Sequence, residues 1–364
     1  MKKMKLQGYK TGSGNICITS CLRDILNYFG YEVREYMIFA VSMANMFYYE
    51  EFSPGKDEKL RMGGIYYDVL TIIENTLKFF GLELIHNNSN DEAEIIAFVR
   101  NSLNNGSPVM AITSRKYLDY MPTQFKDDIP HCINIIGLEE GGFIASDTYI
   151  PKKPVEIFEG YLSETSFLDS VKYARDIYQE KFRYNCLTIK PMNQACREVK
   201  TFNDYFFEKL LCPVLAAANT YLNGEVQEDK VLVGTKGLQK FHSDFMYWFN
   251  TQDLKNIKQL LKNIHNHMVD FGGCVTTYQF LSEYFAFLAQ KTEEPVLLTL
   301  SDDMQFLSRR WYILANTICK AAFIVQEDTK DNINVRLNEL IQLELVLWDK
   351  VKSICEKFLY ATVS

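Results

Sequence analysis

One cysteine, one histidine and one aspartate in the N-terminal half have the types and settings that thiol chemistry needs. Cys17 follows a loop containing Gly12 and Gly14 and opens an apolar helical pattern. His131 begins a strand-like run, and Asp147 lies on the next one. A thiol at a helix N-terminus is stabilised as thiolate by the peptide dipoles, and a nearby imidazolium lowers its pKa further. If the three meet, the sequence predicts acyl chemistry through a cysteine thioester, with His131 as base and Asp147 orienting it.

The other cysteines compete with this interpretation. The chain has nine, and a cysteine on a helix is most often a small buried hydrophobe. Cys21 lies one turn further along the same helix among apolar positions, and Cys132 comes directly after the histidine on its strand. Core packing is the better interpretation of both, which leaves Cys17 as the candidate nucleophile.

Acyl transfer also requires hydrogen-bond donors for the oxyanion that forms beside the sulfur. The backbone N–H of Cys17 is one candidate. A side-chain amide from Gln7 or Asn15 is a second. Gln7 lies further upstream than the glutamine of papain-type enzymes usually does, so it ranks low.

Length and composition bound the remaining possibilities. A chain of 364 residues suggests two domains. The net charge of −7 disfavours a nucleic-acid partner. An odd number of cysteines without CxxC spacing favours reduced thiols over a disulfide or zinc framework. No apolar signal region follows the basic N-terminus and no run reaches the length of a membrane span, so we expect a cytoplasmic protein without membrane association.

The periodicity predicts an α+β fold. The order of nucleophile, histidine on one strand and acid on the next is that of papain-like thiol enzymes. We therefore expect a papain-like cysteine-protease-type domain with an antiparallel sheet over residues 1–195, and an all-α helical domain over residues 196–364. The elements predicted for the first domain are helices at 16–29, 34–47, 66–80 and 91–103, a loop at 48–64, and strands at 82–86, 108–113, 132–138, 143–150 and 184–189.

Several stretches resemble the butirosin biosynthesis protein H family. They are GNICITSCLRDILNYFGYEVREYMIFAVSMANMFYYE around Cys17 and Glu35, the MGG segment at 62–64, and PHCINIIGLEEGGFIASDTY at 130–149. The later stretches FGGCVTTYQFLSEYF and SRRWYILANTICKAA resemble the helical domain that follows in such proteins. The family normally has His-Cys at the first site, and Ile16 replaces that histidine here.

The resemblance implies an acyltransferase of natural-product biosynthesis. Cys17 would accept an acyl or aminoacyl group from the phosphopantetheine thioester of an acyl or peptidyl carrier protein. His131 would activate first the thiol and then a small-molecule amine acceptor, and Asp147 would orient His131. The phosphopantetheine belongs to the carrier partner, so no bound cofactor is implied.

Two other functions fit the same residues. A peptidase or thioesterase on the same fold differs only in resolving the acyl-enzyme with water. A non-catalytic scaffold or binding protein would keep the fold with an inert Cys17. The sequence alone does not separate these three.

Overall fold

The chain divides into two compact units in a computed structural model. The first unit comprises Met1–Ile38 and Asp68–Thr201, and the second comprises Phe39–Tyr67 and Phe202–Ser364. The structure describes residues 3–43, 45–51, 60–65, 69–152, 154–178, 185–191, 204–224, 226–227, 231–269, 273–324 and 328–360. No helix within these ranges combines the length and the apolar composition that a membrane crossing requires.

The first unit contains an antiparallel sheet and the helices that cover it. Its strands are β1 (Met4–Lys5), β4 (Leu82–Asn87), β5 (Val109–Ser114), β6 (Pro130–Glu139), β7 (Gly142–Ile150), β8 (Glu156–Ser163) and β9 (Cys186–Pro191). Its helices are α1 (Cys17–Tyr28), α3 (Val69–Phe80), α4 (Glu92–Asn104) and α5 (Glu164–Tyr178), and α2 (Glu35–Val41) begins in it. Short 3₁₀ turns follow β5 at Arg115–Tyr117 and Thr123–Phe125. This combination confirms the predicted α+β class.

The sheet has seven strands in the order β4-β9-β5-β6-β7-β8, with β1 added beside β6. The predicted hairpin is formed by β6 and β7, which turn at residues 140–141. Their register changes between Ile135 and Gly137, where the regular pairing is interrupted. Such a bulge shifts the facing residues by one position, so it decides which side chains meet near the start of β6. Strand β8 and helix α5 were not predicted from the sequence.

Local signals in the sequence explain where the helices begin and end. Helix α4 is capped by Asp91, whose carboxylate accepts the backbone N–H of Ala93 at 2.7 Å, as its acidic first turn suggests. Gly30 after α1 and Gly81 after α3 have φ angles of +90° and +64°. Glycine adopts this left-handed region without the cost that a side chain imposes, so both helices stop where predicted.

The second unit is helical, as predicted, and also contains a small sheet. Its helices are α6 (Asp204–Asn223), α7 (Gly234–Thr251), α8 (Leu254–Val269), α9 (Cys274–Thr292), α10 (Pro295–Phe323) and α11 (Thr329–Tyr360). Its sheet has the order β10-β11-β2-β3, with β10 (Val226–Gln227), β11 (Val231–Val233), β2 (Asn45–Glu50) and β3 (Met62–Ile65).

This sheet explains the differences from the sequence predictions. Residues 39–67 belong to the second unit, although the predicted division at residue 195 left them in the first domain. The predicted loop over 48–64 is wrong at its two ends, which are strands, and residues 52–59 lie outside the described residues. The all-α expectation missed β10 and β11, because two- and three-residue strands carry no periodicity and because β11, with which β10 pairs, depends on pairing with distant β2.

A buried carboxyl group lies in the core of the second unit. Glu344 on α11 is fully buried, and its Oε1 accepts the indole N–H of Trp311 on α10 at 2.5 Å. Its Oε2 has no hydrogen-bond partner among the described residues. Burial raises the pKa of the Glu344 carboxyl well above its usual value, because the charged form loses its hydration.

Replacing Glu344 by glutamine should therefore stabilise the second unit in a pH-dependent way. Because the folded-state pKa is raised, the stability associated with the protonated carboxyl is present below the unfolded-state pKa and is lost as pH rises through the folded-state value. Glu344→Gln keeps an acceptor for Trp311 and cannot ionise, so its free energy of unfolding at pH 8 should exceed that of wild type by about 1–3 kcal/mol. The three tryptophans, Trp248, Trp311 and Trp348, all lie in the second unit, so fluorescence during urea unfolding reports on it.

Glu339→Gln on the same helix is the matched control, because Glu339 is about half exposed in its ion pair with Arg310. It should change the free energy of unfolding by no more than about 1 kcal/mol at pH 8, as expected for an exposed ion pair. A Glu344→Gln protein that is less stable than wild type at pH 8 as well as at pH 5 would contradict the predicted cost of the buried charge.

Candidate active site

Cys17 is the first residue of α1, as the pattern predicts. The N-cap residue, Ile16, has extended backbone angles and no polar side-chain atom, so no side chain of its own caps the helix. Cys17 as a residue is only partly buried, whereas Cys21 and Cys132 are buried. Cys17 therefore combines partial exposure with the positive end of a helix dipole, which is the setting of a reactive thiol.

The loop before Cys17 is held at several points along its backbone. The N–H of Gly12 donates to Asp24 Oδ2 at 2.9 Å, and Arg23 donates to the carbonyl oxygens of Gly12 and Ser13, both at 2.8 Å. The N–H of Gly14 donates to the carbonyl oxygen of Thr148 on β7 at 3.0 Å. The Gly12 and Ser13 bonds tie the start of the loop to α1, and the Gly14 bond ties the residues nearer Cys17 to β7.

His131 and Asp147 are in direct contact across the hairpin. His131 Nε2 lies 2.7 Å from Asp147 Oδ2, and both side chains are almost completely buried, at 2 % and 0 % exposure. Asn134 pairs with Ser146 in the ladder, so the contact is diagonal and not between directly opposed residues. The structure thus brings together the two residues whose register the sequence left open.

The Asp147 carboxylate has two further donors. The Tyr120 hydroxyl donates to its Oδ2 at 2.9 Å, and the backbone N–H of Tyr149 donates to its Oδ1 at 3.0 Å. The Tyr120 ring stacks on Phe158, with 3.8 Å between ring centroids. A buried carboxylate is costly unless it is hydrogen bonded, and these donors hold it in one orientation. The imidazole that it contacts is therefore held in one orientation too.

The electrostatics favour a charged thiolate–imidazolium pair. A hydrogen bond from the Cys132 side chain is the largest influence on Cys17 and lowers its pKa; burial opposes this, and His131 lowers the pKa further. The net pKa of Cys17 is well below that of an ordinary thiol. Burial disfavours a charged His131, but the Asp147 carboxylate and Cys17 together raise the pKa of His131 to about 10. Both shifts favour a nucleophilic thiolate at Cys17 and an imidazolium at His131 that can give up a proton.

The two cysteines nearest Cys17 have the opposite character. The interaction with Cys17, followed by burial, raises the pKa of Cys132 well above its usual value, and the same interaction lowers the pKa of Cys17. Burial also raises the pKa of Cys21, whose sulfur lies 3.3 Å from the carbonyl oxygen of Cys132. Neither is a second nucleophile, but Cys132 acts on the first.

The two side-chain oxyanion candidates differ in position. Asn15 lies two residues before Cys17, and its side chain is exposed. Gln7 is remote, because Leu6 pairs with Ile136, five residues along β6 from His131, about 17 Å at the rise of an extended strand. The structure therefore keeps Asn15 and the Cys17 N–H as candidates and does not bring Gln7 to the sulfur.

Sequence reasoning did not find Tyr120 or the contribution of Cys132. Tyr120 follows β5 in an irregular segment, and its aromatic side chain gave no signal that it reaches a strand 27 positions away. Cys132 was assigned to core packing because it is next to His131 on a strand, and it is indeed buried. Consecutive residues on a strand point to opposite faces, so nothing in the sequence indicated that both His131 and Cys132 influence Cys17.

Residues 16–148 match the family model described as butirosin biosynthesis protein H, N-terminal. The matched segment contains Cys17, His131 and Asp147, and the match confirms the resemblance inferred from the sequence. It supports a biosynthetic role for the chain. The residues after 148 lie outside the match. No curated protein matches the chain.

Cys132→Ala should raise the pKa of the Cys17 thiol, because it removes a hydrogen-bond donor to the thiolate. A bond to a charged group contributes about 1.5–3 kcal/mol, so alkylation of Cys17 by iodoacetamide at pH 6 should slow by roughly 10-fold or more, with little change at pH 10. Rate against pH, read by mass spectrometry of the labelled peptide, gives the result. Cys21→Ala is the control, because Cys21 lies 3.3 Å from the Cys132 carbonyl oxygen, whereas the groups that lower the Cys17 pKa are Cys132 and His131. Identical profiles for wild type and Cys132→Ala would contradict this assignment.

Asp147→Asn should abolish the charge that holds the proton on His131. Without an imidazolium partner the Cys17 pKa returns towards that of a free thiol, so alkylation at pH 7 should fall by about 10- to 100-fold. Tyr120→Phe keeps the carboxylate and removes only one of its donors, so its effect should be clearly smaller. An equal loss in the two variants, measured as the same alkylation rate, would show that the charge of Asp147 is not the important feature.

Proposed function

We propose, from the match of residues 16–148 to the butirosin biosynthesis protein H family and from the geometry of its site, that this protein is a cysteine-dependent acyltransferase. The donor is the phosphopantetheine thioester of an acyl or peptidyl carrier protein, and the acceptor is a small-molecule amine. The observations that carry the proposal are the contact between His131 and Asp147 at 2.7 Å and the position of Cys17 at the start of α1, where Cys132 and His131 lower the pKa of its thiol.

Two steps follow from this arrangement. The Cys17 thiolate attacks the thioester carbonyl carbon, the bond to the phosphopantetheine sulfur breaks, and His131 donates its proton to that departing sulfur. The amine then attacks the Cys17 acyl group, His131 takes the proton from the nitrogen, and the new amide leaves as the thiolate is restored. Asp147 keeps the imidazole oriented through both steps, and the Cys17 N–H is the first candidate donor to the oxyanion.

The charged resting state supports acceptance of a thioester. A thiolate needs no base to remove its proton before attack, so the proton on His131 is available for the leaving group. Exchange of one thioester for another changes the bond energy little, so the first step is readily reversible. The amide formed in the second step is the more stable product, so amide formation drives the two-step reaction forward.

Intact-mass spectrometry tests the proposal. Wild type and Cys21→Ala, mixed with carrier proteins bearing a panel of acyl and aminoacyl thioesters, should each gain the mass of the acyl group. Cys17→Ala should gain none. The same adduct on Cys17→Ala, or its absence from wild type across the panel, would contradict the proposal.

Resolution of the adduct separates transfer from hydrolysis. The isolated acyl-enzyme is divided between buffer and a panel of polyamines and amino sugars, and its lifetime is followed with the released product. We expect amines to shorten the lifetime and yield an amide. Release of free acid at a rate that amines do not change would instead identify a hydrolase.

A further inference from the structure

Glu35 is a buried carboxylate directed at the loop that carries the nucleophile. It is the first residue of α2 and is 7 % exposed. Its Oε1 accepts the backbone N–H of Ile16 at 2.9 Å and the Thr19 hydroxyl at 2.8 Å, and its Oε2 accepts the backbone N–H of Asn15 at 3.0 Å. These are the two residues directly before Cys17 and a residue in the first turn of its helix.

The hydrogen bonds support the N-terminal end of α1 from outside the helix. Ile16 occupies the N-cap position but has no polar side-chain atom, so the carboxylate of another helix supplies acceptors at this end of α1. With the Asn15 and Ile16 N–H groups bound to Glu35, the next N–H along the chain is that of Cys17. It belongs to the first turn, whose N–H groups have no acceptor within the helix, and it lies beside the sulfur.

The surrounding packing leaves the loop little room to move. A β-carbon on Gly14 would lie 2.2 Å from Ser20 Cβ and 3.5 Å from Glu35 Oε2. The loop backbone is thus pressed between the first turn of α1 and the carboxylate. A change in the length of the side chain at position 35 has to be absorbed by the backbone before Cys17.

A simple ion pair does not account for Glu35. Its nearest described cation is Arg23, whose Nη1 is 4.0 Å from Oε2, while Arg23 makes its hydrogen bonds with Gly12, Ser13 and Asp24. A negative charge at this end of α1 also opposes thiolate formation at Cys17. The carboxylate is therefore suited to holding geometry and not to activating the sulfur.

We propose that Glu35 is a positioning residue for acyl transfer, fixing Asn15 and Ile16 so that the Cys17 N–H faces the oxyanion formed at the adjacent sulfur. The inference rests on the proposed acyl chemistry and names a residue that acts through Cys17. It separates two properties of the site, because the nucleophilicity of the sulfur depends on His131 and Cys132, whereas the oxyanion donor depends on Glu35.

Two reagents distinguish these properties. Iodoacetamide alkylates the thiolate by direct displacement and forms no oxyanion, whereas p-nitrophenyl acetate acetylates it through a tetrahedral oxyanion. In Glu35→Ala the ratio of the acetylation rate to the alkylation rate at Cys17 should fall by about 10-fold or more, as expected for a misplaced oxyanion donor. Both rates are measured by mass spectrometry over the same pH range, with Cys17→Ala providing the background.

Two further substitutions separate geometry from charge. Glu35→Gln keeps a carbonyl oxygen for the Oε1 contacts and should retain most of the wild-type ratio, although it is neutral. Glu35→Asp keeps the charge but is one methylene shorter, so it should resemble Glu35→Ala. If Glu35→Ala does not fold, the comparison of Glu35→Gln with Glu35→Asp decides the question.

Asp24→Asn is the matched control. Asp24 is also buried and also accepts a loop N–H, that of Gly12, but five residues before Cys17. It should leave the ratio unchanged even if it lowers stability. Equal losses in both rates for the Glu35 variants, or an unchanged ratio, would overturn the inference, as would a wild-type Cys17 that is alkylated but not acetylated.

Neither reagent needs a carrier protein. Wild type that is acetylated by the ester but by no carrier thioester would therefore overturn the proposed function, while the ratio would still decide the role of Glu35.

Discussion

The contact between His131 and Asp147 is the interaction on which the rest of the site depends. A carboxylate at 0 % exposure is tolerated because an imidazole, a tyrosine hydroxyl and a backbone N–H all face it. Its charge, together with Cys17, raises the pKa of His131 to about 10, and His131 in turn lowers the pKa of Cys17. The Asp147 charge, buried behind the imidazole, thus acts on the Cys17 sulfur through His131.

The fold supplies this contact by joining two kinds of element. The β6–β7 hairpin fixes the imidazole and the carboxylate relative to each other through its ladder. Helix α1 brings the sulfur to them, and it is registered against the same strands by the Ser20–Thr148 hydroxyl contact at 2.6 Å and by the Asn134 amide donating to the Cys21 carbonyl oxygen at 3.0 Å. Polar contacts at this interface have directions that apolar packing lacks, so they specify where the helix begins relative to the hairpin.

The sequence was most informative where a signal is local. The start of α1 at Cys17, its stop at Gly30 and the hairpin around residues 140–141 each depend on a few neighbouring residues, and each is found as predicted. The order of cysteine, histidine and acid indicated which side chains to compare, but the bulge between Ile135 and Gly137 that sets their register has no local signature. Strand β2 pairs with β11, which is nearly two hundred residues away, so neither its existence nor its place in the second unit could be predicted locally.

The protonation state of His131 tests the central claim most directly. Nitrogen-15 spectra of the imidazole side chains, recorded from pH 5 to pH 11 on a protein with only five histidines and assigned with His131→Gln, follow it without any substrate. We predict that both His131 nitrogens carry protons at neutral pH and that the ring titrates near pH 10. A His131 that is already neutral at pH 7, with an ordinary pKa near 6.5, would contradict the charged pair and the acyl chemistry inferred from it.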